Sequence, residues 1–120
     1  MKLPNGERAI IADEKLDQYC LSPDHDEGHH KAYLFSKLLG FDRSNQDQLR
    51  SLLREIIETE EVAFTRPNEY GMLYYVDTTI VRPERTFRFR SIWIIRQNED
   101  FPRLVSCYLK RRKAPERRRT

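Results

Sequence analysis

All three histidines of this 120-residue chain fall in one stretch, Leu21 to Phe35, which reads LSPDHDEGHHKAYLF. The pattern sets His25, His29, His30 and Lys31 where a polar loop runs into an apolar-striped helix. Imidazole both gives and takes a proton near neutral pH, and a helix entrance favours anions. The stretch therefore suits acid-base work on a phosphate. A polar capping loop is the plainer use of the same residues, and the stretch alone leaves both open.

A second cluster emerges from strand register. If the loop at 82 to 85 joins two antiparallel strands directly, Val81 faces Thr86, so Asp77 comes opposite Arg90 and Thr79 opposite Arg88. A carboxylate behind a guanidinium either sets register by charge complementarity or orients the fork toward phosphate oxygens. The same mixed face carries Tyr75, Ile92 and Ile94. The opposite face carries Tyr74, Val76, Thr78 and Ile80 against Trp93, Ser91, Phe89 and Phe87, and is expected to pack on helices. Arg103, just after Pro102, opens the last strand.

Other chemistries fit less well. Cys20, His25, His29 and His30 are the candidate metal ligands, but no second Cys/His pair stands at zinc-finger spacing and no HExxH occurs, so no metal is expected. The phosphate-cradling GxxxxGK and dinucleotide GxGxxG patterns are absent and the chain has only 4 glycines, so no nucleotide cofactor is expected. Cys20 and Cys107 occupy apolar-patterned positions and read as small buried hydrophobes. Metal-free chemistry on an RNA phosphodiester remains. The neighbouring 2′-hydroxyl is then the nucleophile, and the protein supplies a base, an acid and cations. His30 with Lys31 or Arg90 meets that requirement.

These residues need elements to position them. A short extended piece at Arg8 to Ala12 leads to Asp13, read as the N-cap of a brief helix over Glu14 to Cys20. A second helix, from about Gly28 to Leu39, carries His29, His30 and Lys31 on its first turn, and Gly40 fits its left-handed end. A third, capped by Ser44 with Asp47 completing an acidic capping box, has the apolar stripe Leu49, Leu52, Leu53, Ile56 and Ile57. Its other face, with Arg50, Arg54, Glu55 and Glu58, reads as ordinary solvated surface. From Val62 the period changes to that of strands: Glu69 to Val81, Thr86 to Arg96, Arg103 to Leu109, and a fourth at Glu61 to Thr65. The fold class predicted is α+β, with N-terminal helices packed on one face of a C-terminal antiparallel meander.

Length allows one domain with a single core. Charge divides it unevenly. Lys110 to Thr120, KRRKAPERRRT, sets seven basic residues against Glu116, a net +6, so with +3 overall the first 109 residues carry −3. Residues 1–109 are read as the domain and 110–120 as a basic, disordered tail suited to polyanions, nucleic acid first. No apolar run spans a bilayer and the first residues lack the order of a secretion signal. A cytoplasmic protein without membrane contact is expected.

The runs SPDHDEGHHKAYLFSKLLGF, EYGMLYYVDTTI and FRSIWIIRQNEDFPRLVSCYLK together resemble a small bacterial domain that occurs alone and as the C-terminal tip of large polymorphic toxins. The resemblance rests on Pro23, His25, Gly28, His30-Lys31-Ala32, Tyr70-Gly71, Val76-Asp77, Arg90-Ser91, Trp93 and Pro102-Arg103-Leu104. The family pattern has Asn before the proline, where this chain has Ser22, and the basic tail lies outside it. That setting, and the order of helices then meander, look like the ribonuclease superfamily that includes barnase, EndoU, colicin and RelE type toxins. The resemblance implies metal-independent RNA cleavage without cofactors, and a small antitoxin or immunity protein as partner. By it, His30 and Lys31 are the helix-borne catalytic pair and Arg90, Ser91 and Arg103 the sheet-borne groups.

The expected function is therefore a toxin-type, metal-independent endoribonuclease. Asp77 orients Arg90, and His25, Tyr75, Arg88, Lys110, Arg111 and Arg112 bind substrate. The alternative is a non-enzymatic module that binds nucleic acid or a partner protein within a toxin–antitoxin pair.

Overall fold

The computed structural model of the chain describes residues 1–16, 40, 43–83 and 85–110. Four strands, β1 (Val62–Asn68), β2 (Gly71–Arg82), β3 (Arg85–Arg96) and β4 (Arg103–Leu109), form one antiparallel sheet in the order β1-β2-β3-β4. In the central hairpin every pair keeps the sum set by its short turn, so Asp77 faces Arg90 and Thr79 faces Arg88, as the sequence reading requires. The strands are rich in β-branched and aromatic residues, which fit a pleated, half-buried surface. β1 joins β2 through a tight turn in which the Asn68 side chain accepts the Tyr70 and Gly71 amides at 2.8 and 2.9 Å. Gly71 sits so close to the backbone of Ile95 and Arg96 that a Cβ there would fall 2.2 Å from the Ile95 carbonyl oxygen.

One face of the sheet is covered by the helix α1 (Gln46–Thr59), which buries Leu49, Leu53, Ile56 and Ile57. These meet Val76, Ile80, Phe87, Phe89, Trp93, Leu104 and Cys107 in a continuous apolar core. Removing such side chains from water is the main favourable term for a domain of this size. Ser91 is buried among them with its hydroxyl satisfied: it accepts from the Trp93 indole at 2.9 Å and donates to the Val76 carbonyl at 3.3 Å.

The arrangement corrects the predicted set of N-terminal helices. Among the described residues there is one long α-helix, and the first twelve residues are not helical apart from a 3-10 turn at Gly6–Arg8. Leu3, Ala9 and Ile11 are nonetheless buried, because the segment runs alongside β4. The Ile10 amide donates to the Pro102 carbonyl and the Leu104 amide donates to the Ile10 carbonyl, both at 2.9 Å, forming a parallel bridge between Ile10 and Arg103. The extended piece expected at Arg8 to Ala12 is thus present, and it adds to the covering that the helices alone were expected to supply. Helical structure over 13–16 buries Leu16, and the predicted helix at 28–39 lies outside the described residues.

Two details of capping differ as well. Residues Arg43–Asn45 form a 3-10 turn, so Asn45 rather than Ser44 precedes α1, and its side-chain amide donates to the Gly40 carbonyl at 2.8 Å. The Asp13 carboxylate receives Arg50, which also donates to the Ile11 carbonyl, while Arg54 donates to the Ala9 carbonyl at 3.1 Å. Arg50 and Arg54 are therefore not plain solvated surface. They fasten the extended segment to the helix by satisfying carbonyls it would otherwise leave unpaired.

Candidate functional site

The sheet face turned away from α1 holds the charged cluster. Alternation along β2 and β3 puts Leu73, Tyr75 and Asp77 there, with Arg90, Ile92 and Ile94 opposite them. Arg90 donates to Asp77 through Nε at 2.8 Å and Nη2 at 3.0 Å, a bidentate fork that fixes both groups. Two further cations reach the same carboxylate, Lys110 at 3.6 Å and Arg88 at 4.0 Å. Lys110 is placed by its backbone, whose amide donates to the Arg88 carbonyl at 2.7 Å and so continues the pairing just past β4. Three cations around one carboxylate leave a net positive surface.

Aromatic rings hold the fork from the other side. Phe64 and Tyr75 stack at 4.3 Å with planes 12° apart, and the Arg90 guanidinium lies 5.2 Å from each ring centre. Guanidinium on aromatic faces is favourable, more so as water is excluded. Arg90 and Asp77 are only 16% and 12% exposed at their side chains, so the pair is partly shielded while Arg88, 58% exposed, projects into solvent.

Burial alone pushes the Asp77 carboxyl up. The hydrogen bonds from Arg90, then the charges of Arg90, Lys110 and Arg88, outweigh it and hold the group below its ordinary value. A carboxyl held low by folding adds stability that is complete above its unfolded value and is lost as pH falls through its folded value. Asp77→Asn is therefore expected to melt below the parent at neutral pH. The gap should close as the pH is lowered beneath about 4, which thermal melts of both proteins at matched pH would show. Arg90 titrates even higher than usual, first because of its hydrogen bonds to Asp77, against burial and with help from Tyr108. It stays charged at any working pH.

The structure separates the remaining candidates. Ser91 lies on the core face beneath Trp93, opposite to Arg90. Arg103 pairs with Ile94, about 13 Å along β3 from Arg90 by strand rise. Its fork is taken by Glu99 at 2.9 and 2.8 Å, with the guanidinium 5.1 Å from the Phe101 ring centre. His25, His29, His30, Lys31, Arg111 and Arg112 lie outside the described residues.

Beyond Tyr75 the same face opens into a groove of about 1060 Å³ with an apolar floor that includes Leu73, Ile92, Ile94 and Val105. Val105 reaches it because β4 carries a bulge, Ser106 facing Ile92 and Leu104 facing Trp93 with Val105 left between. Phe64 and this groove were missed from sequence. The signal for Phe64 was the Asn68-Glu69-Tyr70-Gly71 turn, whose pair sum sets Phe64 against Tyr75.

Among the described residues, a long helix behind an antiparallel meander and a cationic, aromatic cluster on the meander's other face define a small α+β domain. The chain belongs to the family described as Domain of unknown function (DUF6883), whose profile matches residues 2–111. Its fold is similar to that of a chain in the contact-dependent growth inhibition toxin–immunity protein complex from Klebsiella pneumoniae 342. The two are 14% identical with a TM-score of 0.61, over 84% of this chain and 99% of that one. No curated protein matches the chain. No helix among the described residues is long and apolar enough to cross a membrane.

Proposed function

We propose that this domain is a toxin-type endoribonuclease that cleaves RNA without a metal and is neutralised by a small cognate immunity or antitoxin protein. The observation that carries the reading is the Asp77-held Arg90 fork, flanked by Lys110 and Arg88, on the sheet face opposite the helix. Asp77 takes the Nε hydrogen and one Nη2 hydrogen and so holds the remaining Nη1 and Nη2 hydrogens of Arg90 rigid before substrate arrives. Donors preset in this way stabilise charge on phosphorus without reorganisation during reaction. The fold it shares with a chain of a toxin–immunity complex supports the toxin setting and the partner. His30 is the proton donor or acceptor of the reading, with Lys31 beside it. Arg90 stabilises the phosphate, and Arg88 and Lys110 attract the strand.

The test is incubation of purified protein with total RNA in excess chelator, followed by end-group analysis for cyclic phosphate. The parent is expected to cleave, and His30→Ala to lose cleavage with its melting temperature near that of the parent. Full cleavage by His30→Ala would remove that residue from the mechanism. RNA binding with no cleavage by the parent would replace the nuclease with a non-catalytic binding module.

A further inference from the structure

We propose that the groove beside the cationic cluster receives a nucleobase of single-stranded RNA, next to the phosphate held at Arg90, an inference that rests on the nucleic-acid reading above. Three observations carry it. The groove is continuous with the cluster, because Tyr75 both lines it and packs against the Arg90 guanidinium. The spacing suits one nucleotide: Ile92 stands two residues from Arg90 on the same strand face, about 7 Å along β3. A base attached to a phosphate at Arg90 would therefore come to rest over Ile92 and Leu73.

The chemistry of the walls also matches a base, which has apolar faces and a polar edge. The floor is apolar, and the rim has side-chain amides that are already oriented. The Asn68 Oδ1 is occupied by the Tyr70 and Gly71 amides, which leaves its NH₂ to donate. The Gln97 Nε2 is occupied by the Glu69 carbonyl at 3.0 Å, which leaves its Oε1 to accept. A fixed donor and a fixed acceptor above an apolar floor can read the edge of a base lying flat on it. The cations at one end favour a phosphodiester strand over an apolar peptide as the occupant.

The test uses a short single-stranded RNA, 2′-O-methylated throughout so that it cannot be cut, and copies in which one position at a time is abasic. Binding to the parent, to Ile92→Ala and to Gln97→Ala is followed by fluorescence anisotropy. The parent is expected to lose about tenfold in affinity when one particular position is abasic. Both variants should lose less than twofold at every position while keeping the parent's salt dependence, because the cationic cluster is intact. Equal abasic penalties in parent and variants overturn the proposal. So does the absence of any penalty in the parent, which would mean that another part of the chain or a partner protein covers the groove. No binding at all overturns this proposal and the nucleic-acid reading together. Cleavage of the unmethylated RNA is scored separately: base dependence without cleavage keeps the groove and discards the nuclease, and cleavage without base dependence does the reverse.

Discussion

Replacing Arg90 by alanine is expected to lower RNA cleavage by about 10²–10³-fold, the usual effect of removing one preorganised donor from charge developing in a transition state. Arg90→Lys should recover only part of the loss, because an ammonium retains the charge but not the planar fork that Asp77 fixes from one side and Phe64 and Tyr75 from another. Stability should change much less than activity. With Arg90 gone, Asp77 keeps Lys110 and Arg88 nearby, so the loss of its two charge-assisted hydrogen bonds should cost about 1–3 kcal/mol. Single-turnover cleavage at saturating RNA, set beside calorimetric melting of the same proteins, checks both halves. An Arg90→Ala protein that melts near the parent and cleaves at the parent's rate would leave the pair a purely structural one.

The largest effect on folding should come from Trp93→Ala. Trp93 is fully buried between the sheet and α1, and truncating such a ring removes both its transfer free energy and the packing around it, about 3–5 kcal/mol. It also strips the Ser91 hydroxyl of its indole donor at 2.9 Å. Against a total of about 5–15 kcal/mol for an ordinary domain, that loss should lower the melting temperature by roughly 10–20 °C. Trp93→Phe, which fills most of the same space, should lose well under half as much. The chain has a single tryptophan, so the comparison needs circular dichroism or calorimetry rather than intrinsic fluorescence. A small loss for Trp93→Ala would mean that the core collapses around the gap far better than its packing implies.

The parts of this fold that were legible in the sequence are those whose geometry is set locally. α1 announced itself by Leu49, Leu53, Ile56 and Ile57 at helical spacing. The β2–β3 register followed from a short turn with no bulge in either strand, and with it the placing of Asp77 against Arg90 and of Ser91 on the buried face. What could not be read depended on distant pairing. β1 slips register between Val62 and Phe64, and β4 slips opposite Ile92 and Trp93. A simple alternation count back from Leu109 therefore puts Val105 on the wrong face, which hid its exposure to the groove. Phe64, in contrast, lies on the turn side of the β1 slip and was missed because the strand was expected to stop at Thr65, short of the Asn68–Gly71 turn that sets its register. The burial of residues 3–11 was illegible for a similar reason. Their partners, Pro102 and Leu104, lie some ninety positions away, and nothing in the spacing of Leu3, Ala9 and Ile11 names them.

The bridge between Ile10 and Arg103 also bears on the order in which the molecule assembles. The hairpins of the meander join neighbours in sequence and close small loops, whereas the seat of residues 9–11 exists only once β4 has been laid down. Closing a loop of that length has a larger entropic cost than closing a hairpin. On a ribosome, the first-made part of the domain must therefore wait for the last-made strand, and the apolar side chains of Leu3, Ala9 and Ile11 stay exposed to water and to chaperones until it arrives. Completion of the domain is thus coupled to the making of β4, so a chain arrested before Arg103 would lack both the far edge of the sheet and the packing of its own beginning.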